Sequence, residues 1–197
     1  MKIINLFGAS GHAKVIMDIV VAQGDIVGCL YDDSPRFADI HGSPVFAASE
    51  VAVSGPLIIS IGSNRVRKLI AGHHSVEYVR AVHPAATVSP TARICEGTVV
   101  MQGAIIQSDA SIGRHCIINS GASVDHECEI GDFVHISPHA TLCGNVHVGE
   151  GSWIGAGATV IPGGKIGNWA TVGAGAVVIR DIPDGATVYG NPAKIKH

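Results

Sequence analysis

The segment from Asp125 to Glu129 concentrates side chains that can move protons, among neighbours that are mostly small or uncharged. A neutral histidine near pH 7 is the usual general base, and an adjacent carboxylate raises its basicity and fixes its tautomer. We therefore predict His126 as the base, supported by Glu127 or by Asp125. A solvated turn histidine is the alternative interpretation.

Three more histidines follow, at His135, His139 and His147. Histidines that meet at a subunit boundary can bind zinc, but no spacing in this cluster demands a third ligand. We therefore expect no metal, and we interpret His139 and His147 as surface residues. His135 remains as a second candidate for chemistry.

An aliphatic residue occupies every sixth position from Val88 to Val178, sixteen times without a break in phase. Neither an α-helix nor an ordinary strand has this period, which is typical of a hexapeptide-repeat β-helix. Three hexads make one triangular coil, so the array predicts roughly five coils and a prism about 25 Å long. The positions are Val88, Ile94, Val100, Ile106, Ile112, Ile118, Val124, Ile130, Ile136, Leu142, Val148, Ile154, Val160, Ile166, Val172 and Val178.

Two residues before most of these aliphatics lies a small residue that also points inward, Cys116 and Cys128 among them. The residue after the aliphatic is often glycine, which we expect to permit turn backbone that a Cβ would strain. These glycines are Gly113, Gly131, Gly149, Gly155, Gly167 and Gly173.

No insertion interrupts the hexads, so no long loop projects to form a site. A cleft must then come from a subunit boundary, and closed rotational symmetry suits a three-faced prism, so we predict a homotrimer. His126 and His135 lie nine residues, or half a coil, apart and face different directions within one chain. We expect them to meet with His126 on one chain and His135 on its neighbour.

The six-residue phase is absent from the first part of the chain, and an alternation of strands and helices predicts a small parallel sheet of Rossmann type. We therefore divide the chain into residues 1–83 and residues 84–197, with His83-Pro84 as the hinge. The predicted strands are 2–7, 25–31, 57–61 and 76–82, and the predicted helices are 13–22 and 65–71.

Ligands of such sheets bind beyond the carboxyl ends of the strands, where three loops converge: Gly8–His12, Asp32–Asp33 and Gly62–Arg65. A glycine turn before a helix suits a phosphate, and an acid after the second strand suits ribose or base groups. The glycine spacing is G-x-x-G rather than G-x-G-x-x-G. It favours a mononucleotide or sugar nucleotide over a dinucleotide, and a plain tight turn is the alternative.

The composition excludes several classes of function. The 197 residues are 47% hydrophobic and carry a net charge of −3, so nothing indicates a nucleic-acid or membrane-surface binder. No apolar run is long enough to span a membrane, and no membrane insertion is expected. The five cysteines show no paired or metal-type spacing, which predicts reduced thiols and a cytoplasmic protein.

Several motifs together resemble one branch of the hexapeptide acyltransferases. They are the hexads, the closing segment Tyr189–Lys194, Gly8–His12, Tyr31–Asp33, Ile61–Asn64 and Asp125–Cys128. This branch contains the bacterial UDP-4-amino-sugar N-acetyltransferases and the sialic-acid O-acetyltransferases. The resemblance implies an α/β N-terminal Rossmann-like domain that binds a nucleotide sugar, followed by a C-terminal left-handed parallel β-helix acyltransferase domain.

The resemblance also implies roles for individual residues. His126 is the general base, Glu127 tunes it, His135 contacts the acetyl carbonyl, and a backbone N–H near Gly144 holds the oxyanion. Acetyl-CoA lies between two prisms, against Ile154, Gly155, Ala156, Gly173 and Ala174. The sugar nucleotide lies on Ser10, Gly11, His12, Asp32, Asp33, Gly62 and Arg65. Asp125 departs from the family, which commonly has Val or Ile there.

The resulting prediction is an acetyl-CoA-dependent N-acetyltransferase that acts on the 4-amino group of a UDP-linked 4-amino-4,6-dideoxy-N-acetylhexosamine in bacterial glycan biosynthesis. A sialic-acid-type O-acetyltransferase is the first alternative. A zinc hydratase or hydrolase has no use for the N-terminal domain, and a non-catalytic sugar-nucleotide sensor does not explain the corner at His126.

Overall fold

The computed structural model describes residues 1–196, and its N-terminal region is a small α/β domain. The sheet has the strand order β3-β4-β2-β1-β5 and is parallel except for the β3–β4 pair. The predicted Rossmann-like arrangement is confirmed. Its elements are β1 (Ile3–Phe7), α1 (Gly11–Ala22), β2 (Ile26–Asp32), β3 (Asp39–Ile40), β4 (Ser43–Ala47), β5 (Leu57–Ile59) and α2 (Asn64–His73).

The two helices cover opposite faces of this sheet, because alternate residues of a strand point to opposite sides. Leu6 of β1 belongs to the cluster under α1, whereas the next residue, Phe7, belongs to the cluster under α2. The α1 cluster also includes Val99 and Ile117 from the second half of the chain. Helix α1 is therefore buried between the sheet and the repeat region, which joins the two parts into one packed body.

The predicted fourth strand at residues 76–82 is only partly present, as two hydrogen bonds that join Glu77 and Val79 to Leu57. Tyr78 makes a single bridge to Leu57, and β6 (Ala81–Val82) pairs with Val99–Val100 of the repeat region instead. The physical reason lies in the repeat, since Val82 is six residues before Val88 and continues its phase. The domain boundary at residue 83 stays a prediction. Strand β6, which comes just before it, is part of a solenoid sheet.

The rest of the chain is a β-solenoid in which the short strands between residues 81 and 178 pair with the strand eighteen residues away, as Ile105 pairs with Thr87 and Ser123. The spacing shortens to sixteen residues where Thr171 pairs with Thr187, and the last strand pairs antiparallel with the one before it. The predicted β-helix is therefore confirmed, with three hexads per coil. The strands are β7 (Thr87–Val88), β8 (Arg93–Ile94), β9 (Val99–Val100), β10 (Ile105–Ile106), β11 (Ser111–Ile112), β12 (Ile117–Ile118), β13 (Ser123–Val124), β14 (Glu129–Ile130), β15 (His135–Ile136), β16 (Thr141–Leu142), β17 (His147–Val148), β18 (Trp153–Ile154), β19 (Thr159–Val160), β20 (Lys165–Ile166), β21 (Thr171–Val172), β22 (Val177–Val178), β23 (Thr187–Tyr189) and β24 (Lys194–Ile195).

Three sheets form the faces of the prism. Face 1 consists of β7, β10, β13, β16, β19 and β22, and face 2 of β8, β11, β14, β17 and β20. Face 3 consists of β6, β9, β12, β15, β18, β21, β23 and β24, and α1 covers its first strands. The aliphatics and the small residues of the repeat fill one continuous core, with Cys116 and Cys128 fully buried as predicted. No helix in residues 1–196 has the length and apolar character needed to cross a membrane.

The glycines that follow the aliphatics are required for a different reason from the one predicted. Their φ is not left-handed, and a Cβ on Gly155 would lie 2.6 Å from the backbone nitrogen of Ala174 in the next coil. Close stacking of coils therefore excludes a side chain there. The left-handed position of each hexad comes two residues later and recurs from Gly97 to Gly175, and Glu127 occupies it with φ 58°.

Candidate active site

His126 and Glu127 form a hydrogen-bonded pair at the corner between face 1 and face 2. Nδ1 of His126 lies 3.2 Å from Oε2 of Glu127, and both side chains are more than half exposed. The backbone N–H of His126 donates to Oδ1 of Asp125 at 2.8 Å. Asp125 therefore holds the turn and Glu127 holds the ring, which separates two roles that the sequence left open.

The other edge of the His126 ring faces Gly144, one coil further along. A Cβ on Gly144 would lie 2.5 Å from Nε2 and from Cε1 of His126, so a side chain at residue 144 would displace the ring from this position. Within residues 1–196 the Gly144 N–H makes no hydrogen bond. With Nδ1 bonded to a carboxylate, Nε2 is the free basic nitrogen. A free base and a free N–H donor therefore lie side by side.

His135 lies on the outer side of face 3, away from His126. The amide Nδ2 of Asn119 donates to Nε2 of His135 at 3.0 Å, and the ring stacks on Trp153 with centroids 6.0 Å apart. Burial, aided by the positive charges of Arg67 and His12, lowers the pKa of His135 to about 3. The ring is therefore neutral, and one chain alone does not bring it to His126.

The three predicted nucleotide loops meet at the carboxyl edge of the sheet. Asp32 accepts the Ala9 N–H at Oδ2 (2.8 Å) and the Ser34 N–H at Oδ1 (2.9 Å), which ties the second loop to the first. Gly8 has φ 112°, and a Cβ there would lie 2.7 Å from the Ile61 side chain of the third loop. The predicted convergence is therefore present in the structure.

The other predicted sugar-nucleotide residues occupy different positions at this edge. Ser10 precedes α1 without capping it through its side chain, and Ser10, Gly11, Asp33 and Gly62 are exposed. His12 is mostly enclosed, its Nε2 has no hydrogen-bond partner among the described residues, and burial beside Arg67 lowers its pKa to about 4.

Arg67 is a site residue that the sequence reasoning missed. The whole residue is 1% exposed, and its guanidinium donates to the carbonyl oxygens of Gly62 (2.9 Å), His115 (3.0 Å) and Phe133 (3.0 Å). It thereby joins the third nucleotide loop to two coils of the solenoid. Burial lowers its pKa to about 10. The sequence does contain a signal for its burial, because Arg67 lies three residues before Ile70 and therefore on the same, buried side of α2.

A cleft of about 520 Å³ lies between the start of α2 and face 3. It brings Gly62 and Arg65, predicted for the sugar nucleotide, together with His135, predicted for the acetyl group. Trp153 and Trp169 also line it, and neither was singled out from the sequence. The guanidinium carbon of Arg65 lies 4.7 Å from the centre of the Trp169 ring.

The residues predicted to contact acetyl-CoA lie at the corner between face 3 and face 1, with one exception. Ile154 is fully buried in the solenoid core, so a side-chain contact from it is excluded. Ala156 and Ala174 are exposed and stack one coil apart beside Gly155 and Gly173. Their contact with the cofactor stays a prediction.

The remaining histidines do not assemble a metal centre in the described chain. Nδ1 of His147 lies 3.1 Å from Oε2 of Glu129 on face 2, and the His139 ring packs over Gly121. Among residues 1–196, no three His, Cys, Asp or Glu side chains converge as metal ligands would.

Two family models match the chain, and solved structures match nearly all of it. Residues 3–73 match the PglD N-terminal domain, and residues 145–180 match the bacterial transferase hexapeptide (six repeats). PerB from Caulobacter crescentus, solved with CoA and GDP-perosamine, is 41% identical with a TM-score of 0.91 over 99% of this chain and 97% of that one. A mutant of perosamine N-acetyltransferase from the same organism is 41% identical with a TM-score of 0.92 over the same shares. The acetyltransferase domain of PglB from Neisseria gonorrhoeae, solved with acetyl coenzyme A, is 38% identical with a TM-score of 0.89 over 99% and 98%.

A curated relative points to the same group of enzymes. The UDP-N-acetylbacillosamine N-acetyltransferase of Bacillus subtilis (strain 168) is 45% identical over 114 residues, which is 51% of this chain and 52% of the relative. The match thus spans about half the length of that relative. The resemblance predicted from the motifs is confirmed, as are its acyltransferase class and its CoA co-substrate at the level of the relatives. The chain belongs to the hexapeptide-repeat N-acetyltransferases of nucleotide-linked amino sugars that carry a PglD-type N-terminal domain.

Proposed function

We propose that this protein transfers the acetyl group of acetyl-CoA to the 4-amino group of a UDP-linked 4-amino-4,6-dideoxy-N-acetylhexosamine. The observation that carries the proposal is the His126–Glu127 pair, whose free Nε2 lies against Gly144 with its unused N–H. The three loops at the edge of the N-terminal sheet supply the place for a nucleotide. The relatives act on or bind nucleotide-linked amino sugars, with UDP in one name and GDP in another.

The chemistry is a direct transfer. The acceptor amine attacks the thioester carbonyl, a C–N bond forms, and the tetrahedral intermediate collapses with loss of the CoA thiolate. Nε2 of His126 takes the proton from the attacking nitrogen, while Glu127 stabilises the resulting imidazolium. The Gly144 N–H donates to the developing oxyanion, a type of contact that commonly lowers a barrier by about 3 kcal/mol. Both substrates bind together, so no acyl-enzyme is required.

The site is completed between subunits. His126 lies at one edge of face 1, and Asn119, Ala156 and Ala174 lie at the corner on its other edge. A threefold assembly with face 1 turned inward places the first corner of one subunit beside the second corner of the next.

The outward side chains of face 1 and face 2 support this assembly. Those of face 1 carry no charge, whereas those of face 2 include charged groups. The face 1 residues are Thr87, Ile105, Ser123, Thr141, Thr159 and Val177, and the face 2 residues are Arg93, Ser111, Glu129, His147 and Lys165. An uncharged flat face is the one that associates at the lower desolvation cost.

A thiol-release assay tests the proposal directly. Acetyl-CoA is supplied with UDP-linked and GDP-linked 4-amino-4,6-dideoxy sugars and with sialic acid, and the product is identified by mass. We expect thiol release and N-acetylation with a nucleotide-linked amino sugar. Acetylation of sialic acid alone would replace the proposal by O-acetyl transfer, and no acetylation of any acceptor would remove both.

A further inference from the structure

Trp153 presents an exposed aromatic surface at the floor of the cleft between the two domains. It projects from β18 on face 3 and is 51% exposed. Its Nε1–H donates to Oγ of Ser137 at 2.6 Å, and its ring lies within 14° of parallel to that of His135. The orientation of the indole is therefore fixed before any ligand arrives. An indole held this way is a preformed apolar contact surface.

We propose that the acceptor's hexose ring lies against Trp153 and that this contact selects a sugar with a methyl group at C6. The inference rests on the proposed function and adds its specificity. A pyranose presents C–H groups on one side, which pack on an aromatic ring as other apolar groups do. A C6 methyl extends that apolar edge, whereas a C6 hydroxyl over an indole would lose hydrogen bonds to water.

The spacing between His135 and Trp153 identifies which part of the acceptor lies there. Their ring centroids are 6.0 Å apart, which is comparable to the width of one pyranose ring. The family resemblance implies that His135 contacts the acetyl carbonyl, so in the proposed reaction the amine that attacks this carbonyl lies beside His135. The group one ring-width away is then the sugar that bears the amine, because the nucleobase is separated from it by a diphosphate and a ribose.

The other end of the cleft differs in chemistry. The Arg65 guanidinium lies 4.7 Å and the Lys68 ammonium 5.5 Å from the centre of the Trp169 ring, so cations cover one side of this indole. Lys68 is paired with Glu150, so Arg65, which lines the cleft, supplies the positive charge that suits the diphosphate. The cleft thus runs from an apolar floor beside His135 to a cationic end, the order in which hexose and diphosphate follow each other in a sugar nucleotide.

Steady-state kinetics with paired acceptors test the proposal. We expect Trp153→Ala to raise the acceptor KM about tenfold and to leave the acetyl-CoA KM within about twofold, with Trp153→Phe intermediate. The preference for a 6-methyl over a 6-hydroxymethyl acceptor should shrink with it. Leu69→Ala, which removes a 69% exposed apolar side chain from α2, is the matched control and should change neither value. An unchanged acceptor KM and preference in Trp153→Ala would overturn the proposal.

A binding measurement separates this proposal from the proposed function. The chain has two tryptophans, so Trp169→Phe leaves Trp153 as the single indole reporter. We expect its fluorescence to change on addition of a nucleotide-linked 4-amino-4,6-dideoxy sugar and not on addition of UDP or GDP. An equal response to the free nucleoside diphosphates, or no response to the sugar nucleotide, would overturn the proposed contact between the hexose and Trp153 even if acetyl transfer is observed. If no transfer is observed, the proposed function fails, and this titration alone tests whether the hexose contacts Trp153.

Discussion

At the scale of single residues, the corner at His126 shows how a β-solenoid builds a base without a projecting loop. Glu127 occupies the left-handed position of its hexad with φ 58°, a position that Gly121 and Gly151 fill in other hexads. The turn brings its carboxylate back to Nδ1 of the preceding histidine. The strained position thus carries a side chain with a defined task, which is a common reason for backbone strain to be retained.

The pair makes a prediction about turnover. His126→Ala should lower kcat by roughly 10²-fold or more, because it removes the proton acceptor, and acetyl-CoA should still bind. Glu127→Gln should cost less, because the amide still contacts Nδ1 but no longer stabilises an imidazolium. Steady-state kinetics and calorimetric titration with acetyl-CoA measure both effects. Near-normal turnover of His126→Ala would show that another group is the base.

At the scale of elements, helix α2 connects the nucleotide loops to the solenoid through one buried guanidinium. Arg67 reaches carbonyl oxygens on both sides, and the neighbouring Asn64 Nδ2 donates to Gly151 O at 3.0 Å. Neutral oxygens take all five Arg67 hydrogen bonds found in the structure, so the contact works through geometry rather than through a counter-ion. The orientation of the third loop over face 3 follows from it.

We expect a large loss of stability when the buried hydrogen bonds of Arg67 are removed. Arg67→Met should lower the free energy of unfolding by roughly 3 kcal/mol or more, because several buried carbonyls lose their donor. Lys68→Ala is the control on the same helix, since it removes only the exposed pair with Glu150 and the contact with the Trp169 ring, and it should cost less than about 1 kcal/mol. Urea unfolding at fixed protein concentration compares them. Equal losses of unfolding free energy in the two variants would contradict the stabilising role of Arg67.

At the scale of the whole molecule, three enclosed histidines lie where the two domains meet. The pKa of His12 is lowered to about 4 and that of His135 to about 3, and burial also lowers the pKa of His115 to about 4. In the unfolded chain these groups titrate near 6.5. They are neutral in both states above that pH, whereas below it the unfolded chain binds protons that the folded chain does not.

The unfolding free energy should therefore fall as the pH drops from about 6.5 to about 4. Each histidine that titrates only in the unfolded state contributes a slope of up to about 1.4 kcal/mol per pH unit. Urea unfolding at several pH values measures the slope. His115→Asn keeps a residue that tolerates left-handed backbone and should reduce the slope. A stability that rises on acidification would contradict the prediction.

The proposed trimer also belongs to this scale, and its assembly depends on the uncharged face 1. Thr141→Arg would place a charge in the centre of that face and should convert the assembly to monomers with loss of acetyl transfer. Lys165→Glu, on face 2, is the matched change of charge and should leave the assembly intact. Light scattering coupled to gel filtration measures the mass of each variant. A monomeric unaltered protein with full activity would exclude the shared site.

The sequence alone determined the solenoid, because a coil buries one aliphatic per hexad and each hexad repeats that local demand from Val88 to Val178. It also indicated the pair at His126, because the two residues are adjacent in the chain. The tertiary structure decided what depends on contacts between distant segments. These contacts are the pairing of Ala81–Val82 with the solenoid and the hydrogen bonds of Arg67 to both domains. The tertiary structure likewise decided the cleft that joins Arg65, His135 and Trp153. Such contacts have no period in the sequence, since each is set by how α2 and face 3 meet in space.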